Sequence, residues 1–218
     1  MKQSVVLLGK GTLAIRVANW FLNHSDYELR AVVPVIPEPA WTESLSRWAD
    51  AKLVPLVRSG HYKDITDVLS ENWRADLVLS VFYDKIIKPW FRILNLHNGP
   101  LPKYRGVSPI NWALKNGETL HGITLHEITP GIDDGPIYSQ LLYSIYPEHD
   151  EVRDVYARAL EYGWTLFTQT MPLLERITPT PQDHAQATYY AMHQNGQLGE
   201  RRSFTRYESI APVAERVG

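Results

Sequence analysis

The 218-residue sequence contains no cysteine, which removes disulfides, thiolate nucleophiles and thiolate metal sites from consideration. No apolar run is long enough to cross a bilayer. Met1-Lys2-Gln3-Ser4 leads directly into an apolar strand-like segment, without the apolar stretch and small-residue cleavage site of a signal peptide. Charge of one sign is also lacking: 22 Lys and Arg stand against 24 Asp and Glu, for a formal net charge of -2. Tight nucleic-acid binders carry a basic face, so no nucleic-acid partner is expected. What is present is 44% hydrophobic residues, enough for an ordinary core in one large domain with at most a small appendage. These features together lead us to expect a soluble, cytoplasmic enzyme with no membrane or metal partner.

The pattern alternates between strands and helices. Val5-Val6-Leu7-Leu8 is a short apolar run ending in Gly9-Lys10-Gly11, after which Leu13, Val17, Trp20 and Phe21 share one helical face. Leu29 to Val33 closes a first βαβ unit. A helix from about Trp41 to Ala49, a short strand near Leu53 to Val57 and a helix from Tyr62 to Glu71 follow. Leu77 to Val81 and Ile93 to His97 read as buried strands, Pro109 to about Asn116 as a helix, and Gly122 to Ile128 and Ile137 to Tyr146 as two more strands. The longest helix follows Asp150, which has the chemistry of an N-cap. This order implies an α/β fold, a mostly parallel sheet with helices on both faces. Asn195-Gly196 between Tyr189-Tyr190 and Arg201 to Thr205 signals a β-hairpin. The expected division is a catalytic domain over 1–180 and a hairpin tail over 181–218.

Three local signals carry chemistry. Gly9-x-Gly11-x-x-Ala14 follows a strand and opens a helix, like a dinucleotide turn, but Val33-Pro34 stands where the ribose-binding acid belongs. The turn is therefore either a phosphate approach site, to which Lys10 adds charge, or a tight turn that lets helix and strand pack. Asn95 and His97 lie two apart on a strand and so face one side, at the edge where open α/β sheets bind ligands. The turn Gly131-Ile132-Asp133-Asp134-Gly135 offers a carboxylate, either for an imidazole or for an Asx turn.

The run Asn95-Leu96-His97-Asn98-Gly99-Pro100-Leu101-Pro102-Lys103-Tyr104-Arg105-Gly106 resembles the signature of the folate-dependent formyltransferases. Gly122-Ile123-Thr124-Leu125-His126 is similar to that family's Gly-x-Thr-x-His strand, and Ile132-Asp133-Asp134-Gly135 to its Asp-x-Gly turn. The agreement in order and spacing covers about 75–170. The resemblance implies a Rossmann-like sheet, 10-formyltetrahydrofolate as formyl donor, and Asn95, His97 and Asp133 as catalytic residues. It also implies pterin contacts, largely to backbone, along Phe82, Tyr83, Lys85 and Ile86, at Ile128 and at Asp133. His126 is given a supporting place near the site, although a strand histidine is more often structural, and His121 at a strand start is expected to be exposed.

Within the family the sequence looks most like the nucleotide-sugar N-formyltransferases. The resemblance rests on Ser80-Val81-Phe82-Tyr83-Asp84-Lys85-Ile86-Ile87, Ser108-Pro109-Ile110-Asn111-Trp112-Ala113 and Leu198-Gly199-Glu200-Arg201-Arg202. The implied acceptor is a nucleotide-linked amino deoxysugar, UDP- or dTDP-linked, in surface-glycan or lipopolysaccharide biosynthesis. Lys10 and Lys85 are expected to serve the pyrophosphate, and Tyr104 to line the acceptor side. Alternatives are a glycinamide ribonucleotide transformylase-like enzyme and a methionyl-tRNA formyltransferase-like enzyme. The latter normally carries an added β-barrel, for which the forty or so residues after the long helix are too few. A homodimer through the tail is expected, with Tyr189, Tyr190 and Phe204 supplying apolar contact.

Overall fold

A computed structural model describes residues 2–70, 73–88 and 92–199. The chain divides into two compact units between Leu96 and His97.

The first unit is a parallel α/β arrangement. Its strands are β1 (Gln3–Gly9), β2 (Tyr27–Pro34), β3 (Leu77–Val81) and β4 (Ile93–His97), the last running to the first residue of the second unit. They pair in parallel in the order β2-β1-β3-β4, with Val5 opposite Leu77 and Ser80 opposite Asn95. Val5 to Leu8 and Leu77 to Leu79 are all buried, as a strand covered on both faces requires. Helix α1 (Gly11–Asn23) buries Leu13, Ala14, Val17, Ala18 and Phe21, and packs on β1 and β2. Leu13, Val17 and Phe21, fully removed from water, each contribute about 1.5–3 kcal/mol against the entropy of ordering them.

The glycine turn is explained by packing. A Cβ on Gly9 would lie 2.4 Å from the Val81 carbonyl oxygen, and one on Gly11, at φ +72°, would lie 2.6 Å from Thr42 Oγ1. Both glycines thus permit close approach of chain to chain.

Helix α2 (Leu45–Lys52) starts later than expected because Ser44 Oγ accepts the Arg47 N–H and sets the N-terminus there. The segment Leu53 to Val57 contributes one parallel bridge, Leu56 to Val32, in place of a strand. Tyr62–Asp67 is a 3-10 helix.

The second unit contains β5 (Arg105–Gly106), α3 (Pro109–Lys115), β6 (Leu120–Glu127), β7 (Ile137–Ser144), α4 (Val152–Thr170) and β8 (Tyr189–Tyr190). β6 and β7 pair antiparallel, with a register shift between Leu125 and His126. Helix α4 packs against β6 and β7. Its cap is Glu151, one residue beyond the expected Asp150. Glu151 and Asp154 bond reciprocally to each other's backbone N–H, while Asp150 accepts the Tyr146 N–H and a two-pronged Arg158 contact. Among the described residues, no helix is long and apolar enough to cross a membrane.

Of the tail, Tyr189–Tyr190 is a strand as expected, and it pairs in parallel with Arg105–Gly106. Asn195-Gly196, expected as a two-residue hairpin turn, lies within a 3-10 helix, Met192–Gln197. Here Gln194 Oε1 accepts the Ala191 N–H and the Asn195 side chain donates to Ser108 Oγ. Side-chain partners absent from an isolated hairpin therefore set the conformation. The expected second arm, 201–205, lies outside the described residues.

Candidate active site

His97 occupies the last position of β4, where the strand passes into the loop 98–104. Its imidazole is 7% exposed. Nε2 lies 2.8 Å from the Tyr104 carbonyl oxygen. A carbonyl only accepts, so Nε2 carries the hydrogen and Nδ1 is the basic nitrogen. Nδ1 faces Asp133 Oδ2 at 3.6 Å, beyond a direct hydrogen bond. Asn95 precedes His97 by two residues on the same strand, so both side chains leave the same face.

Asp133 lies in the loop between β6 and β7 with φ 49°, a left-handed conformation that Asp tolerates better than most residues. The Gly106 N–H donates to Oδ2 at 2.9 Å. Oδ1 faces His126 Nε2 at 3.4 Å. Burial alone would raise the Asp133 pKa. A proton on the facing imidazoles of His97 and His126, together with the Gly106 N–H, outweighs it and holds the carboxyl below the usual carboxylate range. Burial likewise holds the His97 pKa below the usual histidine value, against the opposing pull of Asp133.

His126 was expected to play no more than a supporting part, yet it touches the same carboxylate. It is 1% exposed, and its Nδ1 lies 2.9 Å from the Glu127 carbonyl oxygen, so Nδ1 carries that ring's hydrogen. Both imidazoles therefore turn their basic nitrogen toward Asp133, one to each oxygen. Two bare nitrogens against an ionised carboxylate repel, and a proton on either ring turns that repulsion into attraction. The three groups can share one proton.

The remaining residues singled out from the sequence are placed as follows. Tyr104, expected to line an acceptor pocket, buries its ring in the core formed by Ile110, Trp112, Tyr143 and Val155. Its hydroxyl donates to Glu118 Oε1 at 2.8 Å, so what it brings to His97 is its carbonyl. The left-handed Tyr104 backbone, φ 62°, lets the ring point inward while that carbonyl meets the imidazole. His121, expected at the surface, is fully buried. Strand β6 begins two residues before the expected Gly122, at half-exposed Leu120, so His121 lies inside a strand buried on both faces, against the Tyr104 and Tyr143 rings. Its Nε2 lies 3.2 Å from the Asn98 carbonyl oxygen, and burial pushes its pKa down to about 3. Ile128 follows β6 and is half-buried.

In the first unit, Lys10 Nζ lies 3.8 Å from Asp84, and Lys85 Nζ donates to the Gly60 carbonyl at 2.8 Å. Tyr83 donates to that same carbonyl, and burial pushes its hydroxyl up to about 12. Phe82 is held at φ 57°, and Ile86 is exposed.

A family model described as "Formyl transferase" matches residues 24–171, more than half of the chain. The chain belongs to the formyl transferase family. Among curated relatives, a methionyl-tRNA formyltransferase of Deinococcus radiodurans is 40% identical over 121 residues, 53% of this chain and 38% of the relative. A bifunctional polymyxin resistance protein ArnA of Wigglesworthia glossinidia brevipalpis is 39% identical over 108 residues, 46% of this chain and 16% of the relative. The chain thus spans less than half the length of the curated relatives it matches. Among solved structures, an N-formyltransferase from Helicobacter canadensis, in complex with folinic acid and dTDP-3-aminofucose, superposes with a TM-score of 0.75 at 25% identity, covering 88% of this chain and 72% of that one. The formyltransferase PseJ from Anoxybacillus kamchatkensis shares the fold at a TM-score of 0.63 and 21% identity, covering 95% of this chain and 97% of that one.

Proposed function

We propose that this formyl transferase moves a formyl group from 10-formyltetrahydrofolate to the amine of a nucleotide-linked amino deoxysugar. The observation that carries the transfer chemistry is the buried carboxylate of Asp133 held between His97 and His126, with Asn95 two residues before His97 on the strand.

The side chains fit an acyl donor that transfers directly to an amine. The chain has no cysteine, and the cluster brings an amide, two imidazoles and an ionised carboxylate. The folate supplies an activated formyl carbon. The acceptor nitrogen bonds to that carbon, the bond from the carbon to the folate nitrogen breaks, and one proton passes from the acceptor amine to the departing folate nitrogen. Asn95 donates to the oxygen on which charge develops, a role worth about 100- to 1,000-fold for a single donor. Asp133 and the basic nitrogens facing it hold the proton in transit. With Nε2 of His97 committed to the Tyr104 carbonyl, proton traffic through His97 passes by Nδ1, the nitrogen beside Asp133.

The sugar acceptor is supported by the likeness to the Helicobacter canadensis enzyme and its dTDP-sugar complex. The balanced charge of -2 suits a substrate with one pyrophosphate better than a long polyanion, which draws affinity from many cationic contacts. The second reading, a methionyl-tRNA acceptor, is favoured by the curated relatives, several of which carry that name. We assign the pterin to the segment around Phe82 and Ile86, largely through backbone contacts. Lys10 and Lys85 each have an internal partner, so pyrophosphate binding would exchange one contact for another. Homodimerisation through the tail is also proposed, with half-exposed Tyr189 as the contact, since Tyr190 stacks on Trp112 at 4.2 Å within the chain. Light scattering showing a dimer that Tyr189→Lys separates would support it, and a monomeric wild type would refute it.

The substrate test compares formylation of UDP- and dTDP-linked 3-amino and 4-amino deoxysugars with that of glycinamide ribonucleotide and charged initiator tRNA. Rapid turnover of either of the last two, with none of the sugars, would replace this reading.

A further inference from the structure

Residue 182 lies beyond the part of the chain that the family model matches, which ends at residue 171. The Gln182 side chain is nonetheless 6% exposed and fully engaged. Its Nε2 donates to the carbonyl oxygens of Asp133, at 2.9 Å, and Gly135, at 2.7 Å. Its Oε1 accepts from Arg105, Nε at 3.1 Å and Nη2 at 2.7 Å. Thr180 and Ile137 exchange backbone hydrogen bonds of 2.8 Å in both directions, which pins the chain two residues before Gln182 to the start of β7.

We propose that Gln182 is a positioning residue for the Asp133 carboxylate, clamping the Asp133 loop to the Arg105–Gly106 segment. The proposal rests on the formyl-transfer reading of the site. Two arms converge on Asp133. Gln182 holds its backbone by the carbonyl, on a residue whose left-handed φ costs about 1–2 kcal/mol and must be supported by its surroundings. Gly106 holds its carboxylate by the N–H. Arg105 and Gly106 are consecutive, so the bond from Arg105 to Gln182 makes the two arms one unit. The Arg105 charge draws on Oε1 of the same amide and strengthens its two N–H donors. Without the clamp, the loop is free to relax toward an ordinary φ, and Oδ2 leaves Gly106 and His97.

Gln182→Glu separates positioning from simple anchorage. The carboxylate keeps the shape and the Arg105 contact, now as an ion pair, but has no hydrogen for the two carbonyls. The proposal expects a melting temperature within a few degrees of wild type, a 10- to 100-fold loss of kcat, little change in KM for the folate, and at least tenfold faster exchange of the Gly106 amide hydrogen. Wild-type kcat and wild-type Gly106 exchange in a folded Glu variant would overturn it. If the Glu variant does not fold, Gln182→Met, of similar shape and without hydrogen bonds, must show the faster Gly106 exchange, and unchanged exchange would overturn the proposal. If the wild-type protein transfers no formyl group, the functional reading fails by itself, and Gly106 exchange still decides whether Gln182 holds Asp133.

Discussion

Lowering the pH should unfold this protein through His121, a group with no part in the proposed chemistry. The ring is fully buried between Tyr104 and Tyr143, with Nε2 on the Asn98 carbonyl, and burial pushes its pKa down to about 3. In the unfolded chain the value returns to about 6.5. The folded value is the lower one, so the unfolded state binds the proton first. Stability is therefore fully present above pH ~6.5 and is lost as pH falls toward the folded value. The loss approaches ~1.4 kcal/mol per pH unit, so about 3 kcal/mol is gone by pH ~4.5, a large share of the ~5–15 kcal/mol typical of a domain. Other groups contribute acid sensitivity, His97 among them through the same burial effect. A variant that does not titrate isolates the His121 part. In His121→Gln, the side-chain amide retains a donor for the Asn98 carbonyl. Urea unfolding of both proteins at several pH values from 7.5 to 4.5 should give curves that converge as pH falls, with the variant losing about 3 kcal/mol less than wild type. Parallel losses, with a constant difference between the two proteins, would refute a buried neutral His121.

Three further outcomes concern the site. His97→Asn should fold and bind folate, as followed by circular dichroism and calorimetry, but turn over about 100- to 10,000-fold more slowly, and near-normal turnover would remove His97 from the mechanism. Asp133→Asn should leave folate binding measurable and slow transfer sharply; a loss of stability alone, with normal turnover per folded molecule, would make Asp133 structural. In His126→Phe the carboxylate loses its second imidazole, and the pH profile of kcat should change shape as well as height. A profile scaled down uniformly would show that His126 only fills space.

Much of this was legible in the sequence because it depends on short-range patterns. β3 and β4 fall at the expected residues, since apolar runs bounded by turn residues leave little freedom. The approach of Asp133 to His97 was also legible, through the order of the motifs that carry them. What was missed depends on partners distant in the chain. His126 meets Asp133 across a loop, yet its place two residues after Thr124 already put both strand residues on one face. Tyr104 looked like a pocket aromatic, and only its positive φ turns the ring into the core. His121 looked exposed because it was placed at the strand's start, whereas β6 begins at Leu120 and is buried on both faces from His121 to His126. Gln182 carried no local signal at all: its four bonds reach back 47 to 77 residues. The Asn195-Gly196 turn misled because Ser108, 87 residues before Asn195, supplies a contact that a local hairpin rule does not weigh.

The most direct test of the account mixes the purified full chain with 10-formyltetrahydrofolate and the panel of nucleotide-linked amino sugars, following tetrahydrofolate release by absorbance and the product by mass. The account predicts stoichiometric release of tetrahydrofolate and appearance of a formamido sugar for at least one nucleotide sugar, abolished in Asp133→Asn. Folate turnover with no formylated sugar, or formylation that survives loss of the Asp133 carboxylate, would contradict it.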